Sequence, residues 1–244
     1  MSQNTTMLQD FINSNSNHSP QYPGFFNTPF GSVFSTWKNH LPEAFKEQFL
    51  MPANAPYYIM LEGQMSKVWH RPKWFKPFLW ILSWFDLLFP ETGNNISASM
   101  SIIGGYNQIG EPYHVWNRTF SFPTKRRFNA IMEFNSTANC VVERLGPLGL
   151  LEMHWNIHFK SPNTLEIVTS GCYVRIGKRN YPLPKLTFPT VQAVETLIDE
   201  EQNKIHINLT VSHTKLGQIF GYEGTFQIQR IYKKDDTTTH NSIS

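Results

Sequence analysis

The stretch His114-Val115-Trp116-Asn117-Arg118-Thr119-Phe120-Ser121-Phe122 decides the fold. Side chains on a strand alternate between its two faces. The even positions therefore put Trp116, Phe120 and Phe122 together on one face, and Arg118 falls among them. An arginine in that place cannot reach the polar side of its own strand. It must be paired, because an unpaired buried charge is very costly. Glu62, Glu133, Glu143 and Glu223, each on a strand of its own, are the candidate partners. Two readings stand: a structural ion pair, or an anchor for a ligand carboxylate or phosphate inside an aromatic-lined cavity.

Outward from this strand the same period recurs. On the N-terminal side, Ile59, Leu61, Gly63 and Met65 share one face of a strand that begins at Tyr57. On the C-terminal side the pattern predicts strands over 128–134, 140–145, 150–159 and 165–174, with one before the key stretch over 96–103. A Pro-rich connection (Pro182, Pro184, Pro189) separates these from strands over 190–197, 204–212 and 222–231. Glycines at 217, 221 and 224 mark a turn, then a strand entry with a bulge or a close backbone approach. About ten strands with short loops and no helices between them indicate antiparallel meander pairing. A sheet this long tends to curl or close, since open edges are a liability. The expected fold is a single mainly β domain with two short helices, an antiparallel meander forming a strongly curved sheet or closed barrel, lipocalin-like in outline.

The first helix is marked by Leu41, Phe45 and Phe49 at i, i+4, i+8, with Pro42 where it begins. The second lies in the run from Phe78 to Phe89, which follows Lys73-Trp74-Phe75-Lys76, is apolar almost all round and is bracketed by Pro77 and Pro90. About a dozen residues cannot cross a bilayer, which needs about 20. One reading is a helix buried against the sheet or plugging a barrel end. The other is an interfacial helix, with Trp74, Trp80 and Trp84 at the boundary and Arg71, Lys73 and Lys76 meeting anionic headgroups. Residues 1–30 read as a flexible polar leader, 31–232 as the domain, and 233–244 as a flexible tail.

Composition narrows the function classes. The chain has 244 residues with 40% hydrophobic and 14% aromatic residues, enough for a substantial core, and only 16% charged residues. A net charge of +3 without a clustered basic face argues against a nucleic-acid partner. Lys125-Arg126-Arg127 is read as a solvated turn. Cys140 and Cys172 form neither a disulfide framework nor a zinc spacing, and read as reduced core thiols. The N-terminus has no basic start and no apolar core, so it is not a secretory signal, and a cytoplasmic location is expected. On the strand 151–159, Glu152, His154, Asn156 and His158 form a polar face. His154 and His158 lie about 13 Å apart on a strand, too far to share a metal. Glu152 and His154 are closer neighbours that could act together as a base, and solvent exposure is the simpler account of the face. There is no Gly-rich phosphate loop, no Gly-x-Ser-x-Gly elbow and no His-Glu-x-x-His, so no cofactor or metal is indicated.

Several pieces recur in a familiar order. Leu41-Pro42 opens the first helix; Glu62-Gly63 and Met65 precede an apolar helix ending Leu88-Phe89-Pro90. Trp116-x-Arg118-x-Phe120, Val142-Glu143-Arg144-Leu145-Gly146-Pro147, Pro182-Leu183-Pro184 and Glu195 follow, and Leu216-Gly217 with Gly221-Tyr222-x-Gly224 closes the series. In this order they resemble the bacterial family catalogued as domain of unknown function 4166, over roughly 34–231. The resemblance implies no catalytic residues. Some members look like tails on larger proteins with a nucleotide-binding, dehydrogenase-like domain, which this chain lacks. By position, the family points to Trp116, Arg118, Glu143 and Tyr222.

The leading expectation is a binding module for a small apolar or lipid-like ligand with an acidic group. Arg118 would pair with the acid; Trp116, Phe120 and Phe122 would line the apolar wall; Glu143 and Tyr222 would orient the polar end. One alternative is a cofactor-independent enzyme with Glu143 or Glu133 as general base. Another is a peripheral membrane or protein-interaction module docking through Trp74, Lys76, Trp80 and Trp84.

Overall fold

The computed structural model describes residues 27–233, apart from 36, 38, 39, 147, 148, 178 and 185–187. The expected leader up to 26 and the tail from 234 lie outside the described residues. The elements run in this order: α1 (Glu43–Phe49), β1 (Tyr57–His70), a 3₁₀ turn (Lys73–Phe75), α2 (Lys76–Ser83), β2 (Gly93–Tyr106), β3 (Pro112–Phe120), β4 (Arg126–Asn135), β5 (Cys140–Leu145), β6 (Leu151–Ser161), β7 (Thr164–Ile176), β8 (Arg179–Pro182), β9 (Thr190–Asp199), β10 (Lys204–His213) and β11 (Gly217–Tyr232).

All pairings are antiparallel, and the sheet closes. Each strand from β1 to β7 pairs with the next, β7 pairs with β9, and β9, β10 and β11 lead back to β1. Ten strands thus form a closed meander barrel as a single domain. The short β8 is folded out and pairs only with the far half of β7. β8 falls where the sequence shows only the approach to a Pro-rich connection and predicts no strand. Its four residues are exposed and show no alternating apolar face.

Alternation does the work of closure. Ile59, Leu61 and Met65 of β1, Phe226 and Ile228 of β11, and Val191, Ala193 and Leu197 of β9 all face inward and are buried. β1 and β11 approach so closely that a Cβ on Gly63 would lie 2.0 Å from the Thr225 carbonyl oxygen, and one on Gly224 2.5 Å from that of Gln64. Only glycine fits at such a crossing. The close approach expected at Gly224 is present, and Gly217, with φ +67°, carries the turn that starts β11.

The two helices sit at opposite ends, because the 14 residues of β1 run between them. α1 forms a floor. It buries Ala44, Phe45, Gln48 and Phe49 and has no side-chain N-cap, only Pro42. Arg230 at the end of β11 reaches Glu47 at 3.2 Å and Glu43 at 3.7 Å, fastening the helix to the rim. The segment before it completes the seal. Thr28 Oγ1 donates to the Phe49 carbonyl at 2.7 Å, and the Phe30 ring meets Phe49 edge-on at 5.1 Å and Trp116 at 6.0 Å. Packing into the floor therefore begins before residue 31, within the stretch read as leader.

α2 covers the other end as a lid. It is shorter than the apolar run, because the chain turns at Trp84–Asp86, with Asp86 at φ +52°, and then sends Phe89 into the barrel. Phe89 packs there on Phe120 at 4.9 Å and Phe220 at 5.3 Å. Within α2 only Leu79 is fully buried. The run thus closes a barrel end, as one of the two readings expected, but is not wholly buried: its inner face covers the barrel and its outer face stays apolar in water. No helix among the described residues is long and apolar enough to cross a membrane.

Candidate functional site

The barrel is not filled by its own side chains. A cavity of about 430 Å³ runs from Phe30 and Trp116 at the floor to Phe75, Leu82 and Leu88 beneath the lid. Among its described lining residues only Ser99, Arg118, Glu143, Glu195, His213 and Tyr222 are polar. Its volume lies in the range of small-ligand pockets, and so does its chemistry, a mostly apolar wall with a few polar groups.

Those polar groups converge. Arg118 on β3 donates from Nη1 and Nη2 to the same oxygen of Glu143 on β5, at 3.1 and 3.2 Å. The guanidinium lies between two aromatic faces, 5.1 Å from the Trp116 ring centroid and 4.9 Å from that of Phe128. Aromatic faces attract cations, so this sandwich returns part of the desolvation cost of the charge. Glu143 is buried, and burial raises its carboxyl above the ordinary range against the opposing pull of Arg118. The Trp155 indole N–H also favours the charged form, although it makes no hydrogen bond of ordinary geometry.

A second carboxylate joins them. Glu195 on β9 is buried, and its Oε2 accepts from Gln48 Nε2 of α1 at 2.9 Å. Burial pushes its pKa up to about 7, against the pull of Gln48 and Arg118. Tyr222 on β11 is also buried, which pushes its phenol up to about 12 while Arg118 pulls the other way. The Trp116 indole N–H and the Gln48 carbonyl oxygen are buried without hydrogen-bond partners among the described residues. Buried polar groups are normally satisfied, so the cluster holds an unused donor, with an unused acceptor on the Gln48 amide that caps it. Because Gln48 reaches Glu195 from α1, this polar cluster lies against the floor.

The expected site residues divide clearly. Trp116, Arg118, Phe120, Glu143 and Tyr222 all line the cavity. Phe122 does not; it packs on Phe89 at 5.4 Å, where β3 ends. Among the four glutamates considered for Arg118, the partner is Glu143. Glu62 is exposed. Glu133 faces outward and pairs with Arg144, so Glu133 and Glu143 do not form an acid and base in one cavity. Trp74, Lys76, Trp80 and Trp84 lie at the lid, on its solvent side.

Glu195 and Gln48 were not among the expected site residues. Glu195 carried the same signal as Arg118: a charge in step with Val191, Ala193 and Leu197 on an inward face. Gln48 had none, since its partner lies 147 residues away. A second departure concerns the polar face of β6. Glu152 is buried rather than solvated, accepting from Arg144 Nε at 3.2 Å and Asn180 Nδ2 at 2.9 Å, and contacting His154 Nε2 at 3.0 Å. The β7–β8 hairpin brings Asn180 there. Among the described residues no group of three or more His, Cys, Asp or Glu is arranged to hold a metal ion. Cys140 and Cys172 are free and buried.

With this geometry in hand, comparison with known proteins adds a family. Residues 41–226 match the family described as domain of unknown function (DUF4166), and the chain belongs to it. It is also similar to the uncharacterized protein YndH of Bacillus subtilis (strain 168), at 34% identity over 113 residues, 46% of this chain and 55% of the relative. The match thus spans about half the length of that curated relative.

Proposed function

We propose that this member of the DUF4166 family is a binding protein for a small, mainly apolar molecule with one oxygen-bearing polar end, held inside the barrel. One observation carries the reading: a buried ion pair and a second buried carboxylate face open space in an otherwise apolar cavity of about 430 Å³. Stability alone gives no reason for them. Taking each charge out of water costs several kcal/mol, and well-packed hydrophobic residues in their place are often neutral or better. The apolar tail would lie between the floor and the lid. The polar end would take the unused Trp116 N–H and the Arg118–Glu143 fork.

The cluster also sets a condition on the acidic group inferred from the sequence. It holds one cation and two carboxylates. An incoming anion is tolerated when Glu195 carries its proton, so a carboxylic acid binds together with a proton. Binding of such a ligand therefore tightens as pH falls through about 7, the value to which burial raises Glu195. An alcohol of equal length gains much less.

Native mass spectrometry of the full chain, purified without detergent and then offered dodecanoic acid, tests the reading. The expected result is one passenger or one added acid per chain, lost in Ala193→Phe, which fills the cavity from β9. Absence of both, or an adduct that persists in Ala193→Phe, overturns it.

A further inference from the structure

The lid presents the wrong face to water. Phe75, Leu79 and Leu82 point toward the barrel, yet Trp74, Phe78, Trp80, Ile81, Trp84 and Phe85 are exposed, Trp74 at 66% and Trp84 at 74%. Folding gains nothing from apolar side chains left in solvent, and clustered patches of this kind mark interaction sites. The segment 70–85 contains Arg71, Lys73 and Lys76 and no acidic residue. The β3–β4 turn adds charge beside it: Arg126 lies 5.4 Å over the Trp80 ring, and Lys125 and Arg127 flank it in sequence. Glu91 neutralises Arg126, and Asp86 feels both Arg127 and Arg126. Lys73, Lys76 and Lys125 form no ion pair with another described residue.

Charge and shape point to one occupant. Tryptophans beside lysines, on a helix too short to span, are the composition of an element lying in a bilayer interface with its cations among the headgroups. A protein surface matching six apolar side chains would need no excess of one sign. Phe78 is half exposed and also lines the cavity, and so does Leu216 in the β10–β11 turn. The cavity mouth therefore opens within the patch itself.

We propose that α2 and the turn before it dock on the anionic surface of a lipid bilayer, with the cavity mouth facing the lipid. The docking stands on the lid alone. That the cargo enters from the bilayer rests on the binding reading above.

The test is co-sedimentation of the full chain with vesicles rich in phosphatidylglycerol, against vesicles of phosphatidylcholine alone. Binding is expected to the anionic vesicles and to weaken with added salt. Each cation near such a surface adds about fivefold, so Lys73→Gln with Lys76→Gln is expected to weaken binding about thirtyfold. Trp74→Ala with Trp84→Ala is expected to weaken it at least tenfold. Neither pair lines the cavity, so uptake of soluble dodecanoic acid stays within twofold of wild type. Ala193→Phe is expected to keep vesicle binding while losing the acid, which separates failure of one proposal from failure of the other. No vesicle binding at low salt overturns the docking. So does binding indifferent to both double substitutions, or a dimer in solution that Trp84→Ala dissolves in the absence of any vesicle binding.

Discussion

At one end of the barrel α1 turns Phe45 and Phe49 inward and leaves Glu43 in water; at the other, α2 turns Leu79 inward and leaves Trp80 and Ile81 in water. Both are short helices rich in large apolar side chains. The floor follows the ordinary rule of an amphipathic helix laid on a core. Its rings interlock with Phe30, Phe34 and Trp116, and an arginine fastens its outer edge. The lid breaks the rule on its outer face while keeping it on the inner one. The difference locates stability at one end and contact at the other, with the polar cluster set against the stable end.

Substitution at the floor has the largest expected effect. Phe49→Ala removes a fully buried ring and is expected to destabilise the fold by about 3–5 kcal/mol in urea unfolding. A loss under about 1 kcal/mol would mean that the floor is not part of the cooperative core. Arg118→Met is expected to cost about 3–5 kcal/mol as well, because Glu143 is left buried without its cation. The double substitution Arg118→Met with Glu143→Gln recovers most of that loss in the same assay. Additive losses would contradict the pairing.

A smaller effect tests Glu195. Its native pKa of about 7 lies above the ordinary 4.5, so between these values the native state holds a proton that the unfolded chain has released. Stability from this group is full below pH 4.5 and falls as pH rises to 7. Glu195→Gln therefore stabilises the protein by on the order of 2 kcal/mol at pH 8 and has little effect at pH 4. Equal effects at both pH values would contradict the buried, raised carboxyl. His114 at the floor titrates in the opposite sense. Burial lowers it to about 4, so its contribution is present above 6.5 and lost as pH falls toward 4. The smallest effect belongs to the lid: Trp84→Ala, although it removes a larger ring than Phe49→Ala, is expected within about 0.5 kcal/mol of wild type. A loss comparable to that at the floor would erase the contrast between the two ends.

Much of this was legible in alternation. The charge of Arg118 among Trp116 and Phe120 announced an inward polar group, but its partner stayed open among four glutamates until the closed sheet brought Glu143 of β5 to it. Glu195 obeyed the same rule on β9. What alternation cannot carry is distance along the chain. The contact of Gln48 with Glu195 and the pairing of β7 with β9 past β8 depend on how the ring closes. Burial of Glu152 required Asn180 to arrive from a hairpin whose own four residues show no strand pattern. The direction of α2 was ambiguous for a different reason. Large apolar side chains stand on both of its faces, Leu79 on one and Trp80 and Ile81 on the other, so only the barrel rim decides which of them faces in. The cavity, too, is a difference between the width of a ten-strand ring and the volume of its side chains, and no single residue records it.

The methionines offer the most direct test of the central claim, that the cavity is the binding site. Met65, Met100, Met132 and Met153 line it from four different strands, while Met60 faces outward on β1. Methyl NMR of methionine-labelled protein titrated with dodecanoic acid is predicted to shift those four resonances together and leave Met60 in place. A titration that moves none of the four, or moves Met60 while the four stand still, would contradict the account.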